Sequence, residues 1–225
     1  MRTAVCIQVR LGSSRLPGKV LLPLAGRTVI EHVMRALQAV PADVHALLTD
    51  PGSADALRPL AAREGFEVCV GAEEDVLSRF CDAARKFGVQ RLVRATGDNP
   101  LTSAWLARAI MEKHDAANAD LSHYLGNPWG TGVEVVDAAA LLAAERESIL
   151  PEEHEHATTW IYRHRGRFRI LEPRAPADAY LPDARVTVDT EDDLENVRRI
   201  FAEIYDGSPI EADALVRLLG GPVRA

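Results

Sequence analysis

Directly behind an apolar run, Val5-Cys6-Ile7, the chain reads Gln8-Val9-Arg10-Leu11-Gly12-Ser13-Ser14-Arg15-Leu16-Pro17-Gly18-Lys19, with three fixed cations and two glycines. Small residues such as Gly12 and Ser13 let backbone N–H groups approach phosphate oxygens, while Arg10, Arg15 and Lys19 neutralise their charge. The pattern predicts a triphosphate cradle in which Arg15 and Lys19 act on the reacting phosphates. Pro17 and Gly18 hold the turn that aims Lys19. A Walker A loop places its Gly-Lys pair at the start of a helix after one tight turn, and no G-x-G-x-x-G occurs, so a different phosphate-binding architecture is required. Chemistry on a triphosphate also calls for carboxylates to hold a divalent cation, and two aspartates, Asp98 and Asp189, each stand at the end of a β-rich run.

More of the chain shares a pattern with known proteins. Arg10, Ser13, Arg15-Leu16-Pro17-Gly18-Lys19, Pro23-Leu24-Ala25-Gly26 and Ile30-Glu31-His32-Val33 are followed by Gly71 to Arg79, Arg94 to Leu101, Glu155-His156 and Arg185 to Leu194. In this order they resemble the cytidylyltransferases that make CMP-activated sugars, including Kdo and acylneuraminate cytidylyltransferases, and most closely the SpsF group of spore coat polysaccharide biosynthesis proteins. The resemblance implies an α/β, Rossmann-like nucleotide-diphospho-sugar transferase fold of the GT-A-like kind, with a central, mostly parallel sheet flanked by helices. It implies CTP as the nucleotide, Mg²⁺ as the cofactor, Asp98 and Asp189 as metal ligands, Asp98 beside the nucleotide as well, and Arg79 as a side chain near the base. It also implies a small-molecule acceptor and a homodimer.

Those residues need a scaffold, and composition allows one. A chain of 225 residues with 47% hydrophobic content fits a single α/β domain. The formal net charge of −7 argues against nucleic acid or an anionic membrane as partner. With no apolar run near the roughly 18 residues of a membrane span and no signal segment, a cytoplasmic protein is expected. Cys6, Cys69 and Cys81 lack C-x-x-C spacing and read as core thiols. Periodicity predicts strands near 3–9, 44–49, 66–70 and 91–96, alternating with helices at 28–39, 53–64, 75–87 and 103–115, the rhythm of βαβ units. Strand-like runs follow at 120–124 and 132–136, separated by a Gly, Asn and Pro-rich loop, so that 119–136 is a candidate arm or acceptor-site insertion. A helix start at Pro151, a strand at 185–188 and a helix at 191–204 complete the reading. In open α/β sheets ligands sit beyond the carboxyl ends of strands, where the Arg10–Lys19 loop and Asp98 can meet.

Competing roles stay open at several positions. Asp98 can cap the helix after Pro100 instead of holding a metal. Thr190 is a natural N-cap for the acidic turn behind Asp189, whatever Asp189 does. Glu134 can accept from an acceptor hydroxyl and Trp129 can pack against a sugar face or a cationic head group, or the segment is a hairpin or dimer-arm strand anchored by the Trp. Glu155 and His156 belong on the acceptor side by resemblance, although His154 and Ala157 replace the flanking residues usual in the SpsF pattern. His154 and His156 would point about 200° apart on a helix, unlike a two-histidine metal site. Arg163, Arg165 and Arg185 would suit a phosphate- or phosphonate-bearing acceptor. Two other functions compete with CMP transfer: a glycosyltransferase using a nucleotide-sugar donor, which usually carries a D-x-D absent here, and a non-catalytic nucleotide-binding protein.

Overall fold

The structure, a computed structural model, describes residues 1–220. Its seven-stranded sheet runs in the order β5-β4-β1-β6-β8-β7-β9. These strands are β1 (Thr3–Gln8), β4 (Val44–Thr49), β5 (Glu67–Val70), β6 (Arg91–Thr96), β7 (Leu121–Ser122), β8 (Glu134–Asp137) and β9 (Ile170–Leu171); β2 (Pro23–Leu24) and β3 (Arg27–Thr28) form a separate small hairpin. Strands β5, β4, β1 and β6 are parallel, and β8 turns the sheet by pairing antiparallel to β6. The mostly parallel α/β architecture expected from the sequence is the one observed. Segment 119–136 begins and ends inside the sheet, at β7 and β8, and only its central loop leaves it.

Alternation along β1 divides the core. Val5 and Ile7 face one side, beneath α1 (Val29–Leu37), α2 (Pro51–Arg63) and α4 (Ala104–Ala117); Ala4 and Cys6 face the other, beneath α3 (Val76–Phe87) and α5 (Ala138–Glu147). Cys6 and Cys81 are buried and Cys69 half-buried, and burial pushes the Cys81 thiol up to about 12. Helix α2 starts at Pro51, two residues before its apolar spacing begins, because Asp50 caps it and proline suits its first position. Three short or late helices, α6 (Pro151–Glu155), α7 (Thr159–Arg163) and α9 (Ala212–Leu219), join α8 (Glu191–Ile204) in closing the second half.

The expected strand at 185–188 is not one. Its valines, Val186 and Val188, are buried in the cluster under α8, but the backbone bonds to loops: Trp129 pairs with Arg185, and Val188 N–H donates to the Asp98 carbonyl at 3.0 Å. The alternation therefore reports burial of one face without a neighbouring strand.

Helix α1 opens with a capping box in which Thr28 accepts from the Glu31 N–H and Glu31 accepts from the Thr28 N–H at 2.8 Å. Burial raises the Glu31 pKa, but the Arg63 hydrogen bond and the Thr28 donors outweigh it and hold the carboxyl at about 2. A depressed folded pKa gives stability that is complete above the ordinary glutamate value and lost as pH falls through 2. Thr28→Ala is expected to cost about 1 kcal/mol in urea unfolding near neutrality. The stability gap between wild type and Glu31→Gln should shrink as the same titration is moved towards acid.

Candidate active site

The ends of β1 and β6, the loop after β1, the first turn of α3, the end of α6 and the turn before α8 enclose a cleft of about 340 Å³. Gly18 makes the loop after β1 possible. Its φ of 67° lies in the left-handed region and starts a single 3₁₀ turn, Lys19–Leu21, while its N–H donates to the Leu11 carbonyl. Gly97 permits a close approach on the other wall: a Cβ there would sit 2.8 Å from the Val9 side chain, which packs beneath the turn carrying Asp98. Arg10, Gly12, Ser13, Arg15, Lys19, Arg79, Asp98, Glu155, His156 and Asp189 all line this cleft. Of the residues proposed from sequence, Trp129 and Glu134 are not among its lining.

At the centre Lys19, 8% exposed, reaches two carboxylates that lie 79 and 170 positions further along the chain. Its Nζ donates to Asp98 Oδ2 at 2.5 Å and to Asp189 Oδ1 at 2.8 Å. Arg15 meets the same Asp189 oxygen at 2.9 Å, and Arg185 takes the other at 2.5 Å. Burial pushes the Asp189 carboxyl up, yet the Lys19 hydrogen bond and the charges of Lys19, Arg15 and Arg185 hold it below the usual carboxylate range. The Val188–Asp98 backbone bond stitches the two aspartate turns together. Asp98 does not cap α4, because Ser103 does so by accepting from the Leu106 N–H. Thr190 does cap α8, in a capping box with Asp193, and this fixes the backbone that carries Asp189.

Arg79 is 4% exposed and lies at the α3 side of the cleft. It donates to the Leu48 and Glu73 carbonyls, and its Nε is buried without a partner among the described residues. Glu155 and His156 stand exposed at the rim. His154 instead bridges Asp75 and Ser148, and His164 stacks on Trp160, so the histidines do not converge.

Glu134 sits behind the cleft wall. Its carboxylate pairs with Arg94 at 2.7 Å and accepts from Tyr162 at 2.7 Å and Thr158 at 3.0 Å. Burial raises its pKa, but Arg94 and these hydrogen bonds bring it below the ordinary value. Trp129 is 66% exposed on the loop between β7 and β8. Arg163 is paired with Glu152 and Glu153, and Arg165 with Glu172, leaving Arg185 as the member of that trio beside the cleft carboxylates. Gln8 and Thr96 also line the cleft, and nothing in the sequence assigned them a role. Their sequence signal is no more than a polar residue at the end of a β-rich run.

A profile of the cytidylyltransferase family matches residues 4–207. The spore coat polysaccharide biosynthesis protein SpsF of Bacillus subtilis (strain 168) is 31% identical over 220 residues, covering 95% of this chain and 92% of its own. Among solved structures, a cytidylyltransferase from Leptospira borgpetersenii serovar Hardjo-bovis aligns with a TM-score of 0.87 at 23% identity, covering 96% of this chain and 92% of that one. A CMP-2-keto-3-deoxy-manno-octonic acid synthetase complexed with CTP aligns with a TM-score of 0.67 at 18% identity, covering 90% of this chain and 99% of that one. At these identities the two structures establish a shared fold. The family profile and the SpsF likeness run through nearly the entire chain, including every segment that builds the cleft, and on that basis the chain belongs to the cytidylyltransferase family, as an SpsF-like nucleotidyltransferase enzyme.

Proposed function

We propose that the enzyme transfers CMP from CTP to a sugar or a small phosphorylated or phosphonylated acceptor, with Mg²⁺ and release of pyrophosphate, for surface glycan or lipid synthesis. The observation that carries this reading is the meeting of Lys19 with Asp98 and Asp189 beside Arg15 in one cleft. Two carboxylates already share one positive charge, so their oxygens are arranged around a cation position. Their donor chemistry fits Mg²⁺, which takes one or two carboxylates and completes its shell with phosphate oxygens and water. Asp98 and Asp189 would hold the ion, which when bound neutralises and orients the phosphates. Arg15 and Lys19 hold the β- and γ-phosphates and the charge that grows on departing pyrophosphate. The Gly12 backbone N–H and the Ser13 hydroxyl fix the chain of phosphates, the Ser13 N–H being taken by the Leu11 carbonyl at 3.0 Å. The acceptor oxygen forms its bond to the α-phosphorus as the bond to the β-phosphate oxygen breaks, a step that needs positioning more than covalent help.

Acceptor contacts are proposed at Glu155 and His156 on the rim. Arg163 and Arg165 are held by neighbouring glutamates, whereas Arg185, paired with Asp189 at the cleft, is the member of the trio placed to meet an anionic acceptor group. Trp129 and Leu125, exposed on the β7–β8 loop, support the proposal of a homodimer through that segment. No helix among the described residues is long and apolar enough to cross a membrane, and a cytoplasmic enzyme is part of the same reading. Pyrophosphate release tests it, with CTP, UTP, ATP and GTP against Kdo, sialic acids, sugar phosphates, polyol phosphates and aminoalkyl phosphonates. A CTP-selective signal with one acceptor is expected; failure to bind any triphosphate would overturn the reading.

A further inference from the structure

Gln8 ends β1 with its side chain on the α3 side of the sheet and lines the cleft. Its register neighbours are Leu48 on β4 and Thr96 on β6. The Leu48 carbonyl accepts from Arg79 Nη1 at 3.3 Å, so Gln8 stands on the strand next to the Arg79 corner. Gln8 Oε1 accepts from Arg94 Nε at 3.1 Å. A guanidinium has no acceptor, so this bond decides the orientation of the amide: oxygen towards Arg94, NH₂ away from it. Gln8 Nε2 has no partner among the described residues. It is also absent from the buried unpaired polar atoms, which are Thr49 Oγ1, Arg79 Nε, Asn99 Oδ1 and Tyr124 OH, and therefore keeps an opening into the cleft.

Arg94 is itself immobilised. Glu134 Oε2 accepts from its Nη1 at 2.7 Å, its guanidinium lies over the Phe80 ring at 5.9 Å, and Glu134 is held from behind by Thr158 and Tyr162. The register of β6 against β8 sets Arg94 opposite Glu134, so the sheet fixes this arrangement.

We propose that Gln8 reads the nucleobase, its Nε2 donating to ring nitrogen N3 of cytosine, and that Arg94, braced by Glu134, is a positioning residue that prevents the amide from flipping. The inference rests on the proposed use of CTP. Cytosine presents two adjacent acceptors, O2 and N3, and the corner offers two donors, the Gln8 amide and Arg79. Uracil carries a proton on N3, so a fixed donor there faces another donor and both lose their partners. A free glutamine would turn its oxygen to that proton and accept uracil as readily. The discrimination therefore depends on the lock as much as on the amide.

Calorimetric titration of CTP and of UTP, in Mg²⁺ buffer without acceptor, tests this with wild type, Gln8→Met and Arg94→Lys. Wild type is expected to prefer CTP by about tenfold or more. Gln8→Met, close to isosteric, should lose most of that preference. Arg94→Lys keeps a charge for Glu134 but holds the amide less firmly, and should move the ratio towards one by gaining affinity for UTP. A merely structural role would weaken both nucleotides alike and leave the ratio unchanged; that result, or equal wild-type affinities, overturns the inference while leaving CTP binding standing. If wild type binds neither nucleotide, the proposed function fails first and this inference with it.

Discussion

Lys19→Met is expected to lower CMP transfer by roughly 10³-fold, the scale on which removal of one charge-stabilising donor acts, and to make thermal stability depend on Mg²⁺. Both effects come from one ammonium. In the wild-type protein it compensates Asp98 and Asp189 together, and in the proposed transfer the same charge acts on the phosphates. Methionine keeps the length and apolar stem of the side chain but leaves two facing carboxylates with only the more exposed Arg15 and Arg185 nearby. Losing one partner of such a cluster costs about 3 kcal/mol. A divalent cation placed between the carboxylates would restore that loss, by linkage of binding to folding. Thermal unfolding without nucleotide, with and without Mg²⁺, should give a small shift for wild type and a rise of several degrees for the variant. Equal shifts would remove the aspartate pair as a cation site, and an active Lys19→Met would remove Lys19 from the chemistry.

Glu134→Ala should be the most destabilising single change in the second half of the protein, by about 3–5 kcal/mol in chemical denaturation near neutrality. The deletion leaves Arg94 charged and largely buried, and takes the acceptor from the Tyr162 and Thr158 hydroxyls at once. Glu134→Gln keeps an acceptor oxygen and should cost less. The sign with pH follows from the depressed carboxyl: its stabilisation is complete above the ordinary glutamate pKa and is lost as pH falls through the lower folded value. The difference between wild type and Glu134→Gln should therefore narrow in acid. A cost below about 1 kcal/mol for the alanine variant would mean that the network adds nothing beyond an exposed pair.

The alternating first half was readable because each element there is long enough to show its period. Strands β1, β4, β5 and β6 lie within the expected ranges, and α1, α3 and α4 match theirs to within two residues at either end. The cleft was readable because most of its basic residues lie in one short run, and because both aspartates follow β-rich runs. What escaped depends on pairing across distance. Glu134 looked like a free acid because only the register of β6 against β8 brings Arg94 to it. Strands β7 and β9 are two residues long, too short for any period, and exist only because β8 and each other are present. Helix α5, alanine and leucine until the Glu-Arg-Glu at its end, carries no polar face to mark its turns. Gln8 was hidden for another reason: an amide reveals which way it faces only when its partner is known.

The contact between Lys19 and Asp189 spans 170 positions of sequence. During synthesis the phosphate loop, the parallel strands and Asp98 leave the ribosome well before the second carboxylate, so the nascent chain has a nearly finished sheet and an incomplete cation pocket. Residues 1–188 therefore keep Asp98 for Lys19 but leave Arg15 without its carboxylate, and completion of the cleft coincides with docking of α8, whose first turn is capped by Thr190 immediately behind Asp189. The cleft is thus completed late, as Asp189 settles against a loop made near the start of synthesis.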